Sequence, residues 1–338
     1  MTSGALCGFY DTNNGLISNF VNRWSWYANN GAFTSPRYPP KNFGLLLPVV
    51  SVLSLIFHSL IYYYGADWFS KKYSTTFKKK IFGDEKARRE WNSRIVSNVH
   101  AIISSLFSLY CIVFVFLPAP YERILSISNN SCICLIGYGI GYFLYDLFIV
   151  TRNYPQLGGM ETLLHHSISI LALLGSSIWE NGIVLVVVMM FTEISTPFVN
   201  QRYFFSKCNM KDSKIYTYNG IMMWLTFGIV RIYFCYYIPH FVWEDSETFC
   251  SFPIGWIILI SLMMTLMSSL NIFWFYKITV GIVQVVFAKQ PTSAPSTSST
   301  PSAPDSINVK DDKKSDEDDA DKKELDEKVA TTSPLVRR

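Results

Sequence analysis

FGLLLPVVSVLSLIFHSLIYYY, residues Phe43–Tyr64, contains no Asp, Glu, Lys or Arg. An α-helix needs about 20 mainly apolar residues to cross the ~30 Å hydrocarbon layer of a bilayer. Six later stretches are also mainly apolar, although the third and fourth of the seven are short: Ile95–Leu117, Cys134–Val150, Leu163–Trp179, Gly182–Val199, Asn219–Pro239 and Pro253–Tyr276. The sequence therefore predicts an all-α, multi-pass transmembrane helical bundle of about seven spans.

The composition excludes several other classes of protein. Half of the 338 residues are apolar and 16% are charged, whereas soluble chains are roughly 25% charged. A soluble all-α protein would have to bury all seven apolar stretches with too few polar faces. We expect no dense Lys/Arg face that is interleaved with exposed aromatic residues, so nucleic acid is not an expected partner. The seven cysteines lack metal-ligand spacing, and we expect no metal site and no cofactor.

The charges of the loops predict the orientation. Residues 65–94 contain nine Lys/Arg, and Arg202, Lys207, Lys211 and Lys214 follow the fifth span. Both loops lie on the same side if seven spans alternate, and positively charged loops are cytoplasmic. The N-terminus is then lumenal and the C-terminus cytosolic. Asn129-Asn130-Ser131 is a glycosylation sequon on the predicted lumenal side, so Asn129 is a candidate glycosylation site.

The chain divides into four predicted parts. Residues 1–42 form a lumenal N-terminal segment, and residues 43–90 contain the first span and a basic cytosolic loop. Residues 91–288 form the main transmembrane domain. Residues 289–338 are rich in Ser, Thr, Pro and mixed charges. Such a composition cannot bury enough apolar surface to offset ordering entropy, which predicts a disordered cytosolic tail.

Polar groups inside the spans indicate a site, because they are costly in a membrane and usually face a bundle interior. With this orientation, five spans place polar groups towards the cytosolic leaflet: Asn98, His100, Tyr142, Asp146, His165, His166, Glu193, Thr196, Asn200 and Asn271. We expect them to line a polar pocket that opens to that leaflet. Arg231 lies in the other half, and we expect it to snorkel to the interface.

The spacing of these groups suggests their chemistry. Glu193, Thr196 and Asn200 share one helical face, and Pro197 removes the hydrogen bond that would reach the Glu193 carbonyl. His165 and His166 point about 100° apart, so only one can face a central cavity. A histidine beside a carboxylate can act as a general base or accept an acyl group. The same groups could instead bind a lipid headgroup or serve as interfacial anchors.

Three strings resemble the TLC-domain family (TRAM, LAG1 and CLN8), over roughly residues 91–290. They are GYFLYDL at 141–147, LLHHSISI at 163–170 and FTEISTPFVNQRYF at 191–204. The last string is most similar to the subfamily of TLC-domain-containing protein 4. The resemblance implies a TLC-like bundle in the endoplasmic reticulum. Ceramide synthases in the family carry a histidine pair at this place, which would make His165 or His166 a catalytic base or acyl carrier if the protein is an enzyme.

One departure from the ceramide synthases bears on function. On the next helix those enzymes have His-Asp-x-x-Asp, whereas this chain has Thr192-Glu193-Ile-Ser-Thr196. A single acid cannot provide a paired-carboxylate environment that tunes a base. The leading hypothesis is therefore a lipid-homeostasis protein that binds or handles membrane lipid. The alternatives are an acyltransferase that takes acyl-CoA and a cargo receptor or translocation partner, a class that the family also contains.

Overall fold

The computed structural model describes residues 43–119, 125, 127, 129–179, 181–244, 246–250, 252 and 254–287, which form helices and turns without a strand. Seven of these helices are long and apolar enough to cross a membrane: α1 (Leu45–Tyr73), α2 (Glu85–Phe116), α3 (Asn130–Arg152), α4 (Met160–Trp179), α5 (Ile183–Lys207), α6 (Lys214–Glu244) and α7 (Ile254–Gln284). The predicted all-α bundle of seven spans is confirmed. The predicted segment 1–42 and tail 289–338 lie outside the described residues.

Several helices extend beyond their apolar stretches. Helix α2 begins ten residues before Ile95, at Glu85, because the Asp84 side chain accepts hydrogen bonds from the backbone N–H groups of Lys86 and Ala87. This is an N-cap, which satisfies donors that have no intrahelical partner. The polar first turns of α2 therefore project from the apolar part of the span.

Helix α5 changes its winding just before Pro197. The turn Thr192–Ser195 is a tighter 3₁₀ turn, and the Thr196 N–H donates to the Glu193 carbonyl. The carbonyl that Pro197 cannot reach is thus satisfied locally. Wider π-helical turns occur at Ile61–Gly65, Ile112–Phe116 and Gly228–Ile232, within α1, α2 and α6.

Six of the helices form a closed ring. Helix α2 packs on α3, α3 on α4, α4 on α7, α7 on α6, α6 on α5, and α5 on α2. Neighbours in this ring are not always neighbours in the chain, since α4 contacts α7 directly. Helix α1 lies outside the ring and packs along α3. The α1–α3 contact is the most extensive contact between two of the described helices.

Two glycines of α3 allow α1 to approach closely. Gly137 and Gly141 are four residues apart, so they share one face of the helix. A Cβ atom at Gly141 would overlap the carbonyl oxygen of Ser51 and the side chain of Ser54. A Cβ atom at Gly137 would lie 3.0 Å from the Cβ of Val50. Small residues at an interface allow close backbone packing, which is a main source of helix association in membranes.

We expect Gly141→Ala to lower the free energy of unfolding by about 1–3 kcal/mol, because the added methyl overpacks the α1–α3 interface. Gly281→Ala in α7 is the matched control, since nothing lies within 4 Å of its Cβ position. That change should be neutral or stabilise by up to about 1 kcal/mol. Thermal unfolding of the purified protein in detergent measures both, and equal stability of the two variants would contradict the packing argument.

Candidate functional site

A cavity of about 80 Å³ lies inside the ring and is lined by residues of α3–α7. Its polar lining is gathered at one end, where His165, Thr192, Glu193, Arg231 and Asn271 lie. The remaining lining is apolar apart from one serine and includes Leu173, Leu185, Val186, Met189, Met190, Ile238, Trp256, Ile260, Met263, Met264 and Met267. Lining residues on α7 extend from Trp256 to Asn271, which is roughly 22 Å along a helix. The cavity is thus long and polar at one end.

A buried ion pair forms part of the polar end. The Nη2 atom of Arg231 lies 3.1 Å from Oε1 of Glu193. The Arg231 side chain also donates to Ser195 Oγ at 2.9 Å and to Asn271 Oδ1 at 3.4 Å. The Thr196 hydroxyl donates to the second carboxylate oxygen of Glu193 at 2.7 Å. Both charges therefore have a counter-charge and hydrogen bonds, which burial requires.

The expectation that Arg231 snorkels to an interface is wrong. Arg231 is 6% exposed, and α6 continues for 13 residues beyond it to Glu244. The apolar stretch alone suggested an earlier end, at Pro239, but that proline lies inside the helix. One signal in the sequence could have identified the pair: Arg231 and Glu193 are opposite charges deep within consecutive spans.

The two neighbouring histidines have different surroundings. His165 lines the cavity, and its ring meets the edge of Trp274 with 5.2 Å between centroids. His166 is buried beside α3, where its Nδ1 atom lies 3.0 Å from Oδ2 of Asp146. This agrees with the expectation that only one of the two rings faces a central cavity. A carboxylate held against one imidazole nitrogen fixes the orientation of that ring.

Of the predicted lining residues, His165, Glu193 and Asn271 line the cavity. Thr196 lies next to it through its hydrogen bond to Glu193. The others lie outside the cavity lining: His166, Asp146, Tyr142, His100, Asn98 and Asn200. Of the predicted polar groups, those that line this cavity therefore come from three spans, α4, α5 and α7.

Asn200 and Asn98 belong to a separate polar cluster between α2 and α5. The Asn200 amide donates to Asn98 Oδ1 at 2.9 Å and to Ser97 Oγ at 3.1 Å, and Arg94 Nη1 donates to Asn200 Oδ1. Asn200 shares a helix with Glu193, but seven residues separate them by about 10 Å along the axis. Asn200 thus reaches α2 rather than the cavity.

A cluster of aromatic and imidazole rings joins α1, α2 and α3. The His100 ring is parallel to the Tyr142 ring, with 3.5 Å between centroids. His58, which sequence reasoning missed, is fully buried in α1 and contacts Tyr138 Oη through Nε2 at 3.2 Å. Its Nδ1 donates to the Ser54 carbonyl at 2.7 Å. A histidine in the middle of the Phe43–Tyr64 stretch was the available signal.

The described side chains support acid–base chemistry and hydrogen bonding. His165 offers an imidazole to the cavity, and the His166–Asp146 pair lies directly behind it, with 5.4 Å between the two histidine rings. Within the described ranges, no group of three or more His, Cys, Asp or Glu side chains could hold a metal ion.

The ring of apolar helices with polar groups turned inward defines a multi-pass helical membrane protein. The sequence model of the TLC-domain family (TRAM, LAG1 and CLN8) matches residues 90–280 of this chain. The chain belongs to this family, as the three strings at 141–147, 163–170 and 191–204 indicated. The matched residues run from the start of α2 to the last turns of α7, and thus cover the ring.

Curated relatives are similar along most of their length. TLC domain-containing protein 4 of Homo sapiens is 31% identical over 248 residues, which cover 71% of this chain and 91% of the relative. TLC domain-containing protein 4-B of Xenopus laevis is 29% identical over 266 residues, covering 73% and 93%. TLC domain-containing protein 2 of Danio rerio is 26% identical over 199 residues, covering 57% and 78%. No solved structure matches the chain.

We expect Arg231→Met to lower the free energy of unfolding by about 3–5 kcal/mol, because it leaves the Glu193 carboxylate buried without its counter-charge. The double variant Arg231→Met/Glu193→Gln should recover most of this loss. Unfolding of detergent-purified protein measures the three stabilities. Arg152→Gln is the control, since Arg152 is exposed at the end of α3 and should change stability by less than about 0.5 kcal/mol. A double variant no more stable than Arg231→Met would contradict the assignment of a compensated pair.

Proposed function

We propose that the protein binds a membrane lipid in the cavity and thereby contributes to lipid homeostasis. The observation that supports this most directly is the amphipathic lining, with hydrogen-bonding groups at one end and an apolar wall that extends roughly 16 Å along α7, from Trp256 to Met267. One leaflet of the hydrocarbon layer is about 15 Å thick, so the apolar wall is long enough for an acyl chain. The polar end would hold the headgroup.

The electrostatics of the polar end favour an uncharged headgroup. Arg231 and Glu193 neutralise each other, so the pair brings no net charge to the cavity. A hydroxyl, amide or ester could exchange hydrogen bonds with His165 and Asn271 without leaving a buried charge uncompensated. A bare phosphate or amine would compete with the ion pair for its partners.

The apolar wall is adaptable. Five methionines line it: Met189, Met190, Met263, Met264 and Met267. Methionine is unbranched and flexible, so it repacks around chains of different shape at low cost. We therefore expect selection at the headgroup to be stronger than selection for chain length.

The second candidate is an acyltransferase that uses acyl-CoA. The buried His166–Asp146 pair favours it, because a carboxylate-oriented imidazole next to a cavity is suited to general-base catalysis. The base would remove a proton from an amine or hydroxyl of a lipid, which would then attack the thioester and release the CoA thiolate. The side chains that replace the histidine and the second acid argue against it: Thr192 donates to the Met189 carbonyl and Thr196 to Glu193.

Filling the cavity tests the lipid proposal. We expect Met267→Trp to reduce the lipid that co-purifies with the protein severalfold, as quantified by mass spectrometry. Ile258→Trp is the control, because Ile258 is on the same helix but 57% exposed on the outer face. The lipid content of the two variants is compared only if their thermal stabilities are equal, because a partly unfolded protein would also lose lipid. Identical lipid content in wild type and both variants would contradict a lipid site in this cavity.

The enzyme candidate is tested with purified protein, acyl-CoA and a panel of amine and hydroxyl lipids. We expect no turnover. A product that disappears in His165→Ala and in His166→Ala would replace the binding proposal by the acyltransferase. If there is no turnover, the co-purified lipid should still change in His165→Ala, since that ring lines the cavity.

We also propose residence in the endoplasmic reticulum, which the family resemblance implies, with a lumenal N-terminus and a cytosolic C-terminus, which the charge of the loops supports. A tag after Arg338 should be cleaved by protease added to intact microsomes. Asn129 is exposed at the N-cap of α3, and Asn129→Gln should abolish any glycosylation of the chain. A protease-protected C-terminal tag would invert the orientation.

A further inference from the structure

The connection between α1 and α2 presents a fixed row of lysines. Phe77 and Ile81 are buried in a small cluster that includes Trp91 and Phe204. Between these two anchors, Lys78, Lys79 and Lys80 are all exposed. The connection is held at a second point, where Trp91 Nε1 donates to Ser70 Oγ at 2.8 Å. The three side chains therefore project from an anchored turn.

The charge of this row is not neutralised. Lys71 and Lys72, at the end of α1, extend it, and none of the five lysines makes an ion pair within the part of the chain that is described. Nearby acids have other partners. Asp67 accepts from Asn92 and lies 3.8 Å from Arg88, Asp84 caps α2, and Glu85 pairs with Arg89. We call the five lysines the basic surface.

Exposed aromatic side chains surround the basic surface. Trp68, Tyr73 and Phe82 are 64%, 64% and 38% exposed. The Lys71 Nζ atom lies 3.7 Å from the centre of the Phe82 ring, and Lys72 Nζ lies 5.3 Å from that of Trp68. The expectation that no basic face is interleaved with exposed aromatic residues is thus wrong for this segment. Composition alone therefore does not identify the partner of the basic surface, and its location relative to the membrane has to be considered.

The position of the basic surface is set by its neighbours. Helices α1 and α2 both cross the membrane, so their eleven-residue connection lies at a membrane surface. Aromatic rings and lysines with long alkyl chains are typical of this depth, where ring and chain contact lipid and the ammonium reaches the headgroups. Nucleic acid would have to approach along the bilayer surface, past these exposed rings.

We propose that the basic surface binds the headgroups of anionic phospholipids in the adjacent leaflet. Clusters of lysines beside a membrane-crossing helix attract anionic lipid, and this attraction falls off within a Debye length. Lysine acts as a compact point charge with rotatable donors, which suits phosphate and carboxylate groups of varied geometry. This site is separate from the cavity and does not depend on the function proposed for it.

The test uses the purified full chain in detergent with an equimolar mixture of phosphatidylserine and phosphatidylcholine, and native mass spectrometry counts the bound lipids. We expect wild type to bind phosphatidylserine preferentially, by about tenfold, at low salt. Lys78→Gln/Lys79→Gln/Lys80→Gln should lose most of this preference. The matched control, Lys207→Gln/Lys211→Gln/Lys214→Gln, removes the same charge from the α5–α6 connection and should keep it.

The preference should also disappear in about 1 M salt, where the Debye length is ~3 Å. An equal preference in all three proteins, or an equal loss in both variants, would overturn the assignment to this surface. Displacement of phosphatidylserine by a stoichiometric amount of single-stranded RNA would overturn it as well, because it would identify a nucleic-acid site.

Discussion

The ring of helices depends on one constraint, the burial of the Arg231 guanidinium and the Glu193 carboxylate within the membrane-crossing part of the chain. Lipid tails offer no hydrogen bonds, so a charge at this depth must find its partners in protein. Arg231 on α6 finds them on α5, through Glu193 and Ser195, and on α7, through Asn271. These bonds join three helices of the ring and place polar groups at one end of the cavity.

A second polar cluster serves a different purpose. Arg94 on α2 is 1% exposed and pairs with Glu90 on its own helix, and its guanidinium lies 4.1 Å from the centre of the Tyr203 ring on α5. With Asn200 it joins α2 to α5. No member of this cluster lines the cavity, whereas Arg231, Glu193 and Asn271 do. The Arg94 cluster therefore joins helices, and the polar groups available to a ligand are those of the Arg231 cluster.

The sequence predicted the seven spans because crossing a bilayer depends on length and apolar content, which are local properties. It also predicted that His165 and His166 diverge, which follows from 100° per residue. The order of helices around the ring was not predictable in this way, since helices that are apolar nearly all round do not reveal which face meets protein and which meets lipid. For the same reason Asn98 and Asn200 were assigned to the pocket, because chain position gives the depth of a residue in the membrane but not the helix face on which it lies. Arg231 was assigned to an interface because the apolar stretch suggested that α6 ends at Pro239, whereas the helix continues to Glu244.

Helix α1 lies outside the ring, yet its contact bears on the cavity. Gly141 lets α1 approach α3, which is held between α1 and α4. Asp146 is five residues further along α3 and fixes the His166 ring on α4, and His165 next to it lines the cavity. A shift of α3 towards α1 or away from it would move the Asp146 carboxylate by the same amount. The attraction between this carboxylate and the imidazole weakens as their separation grows. The orientation of the histidine pair therefore rests on a glycine contact on the opposite face of α3.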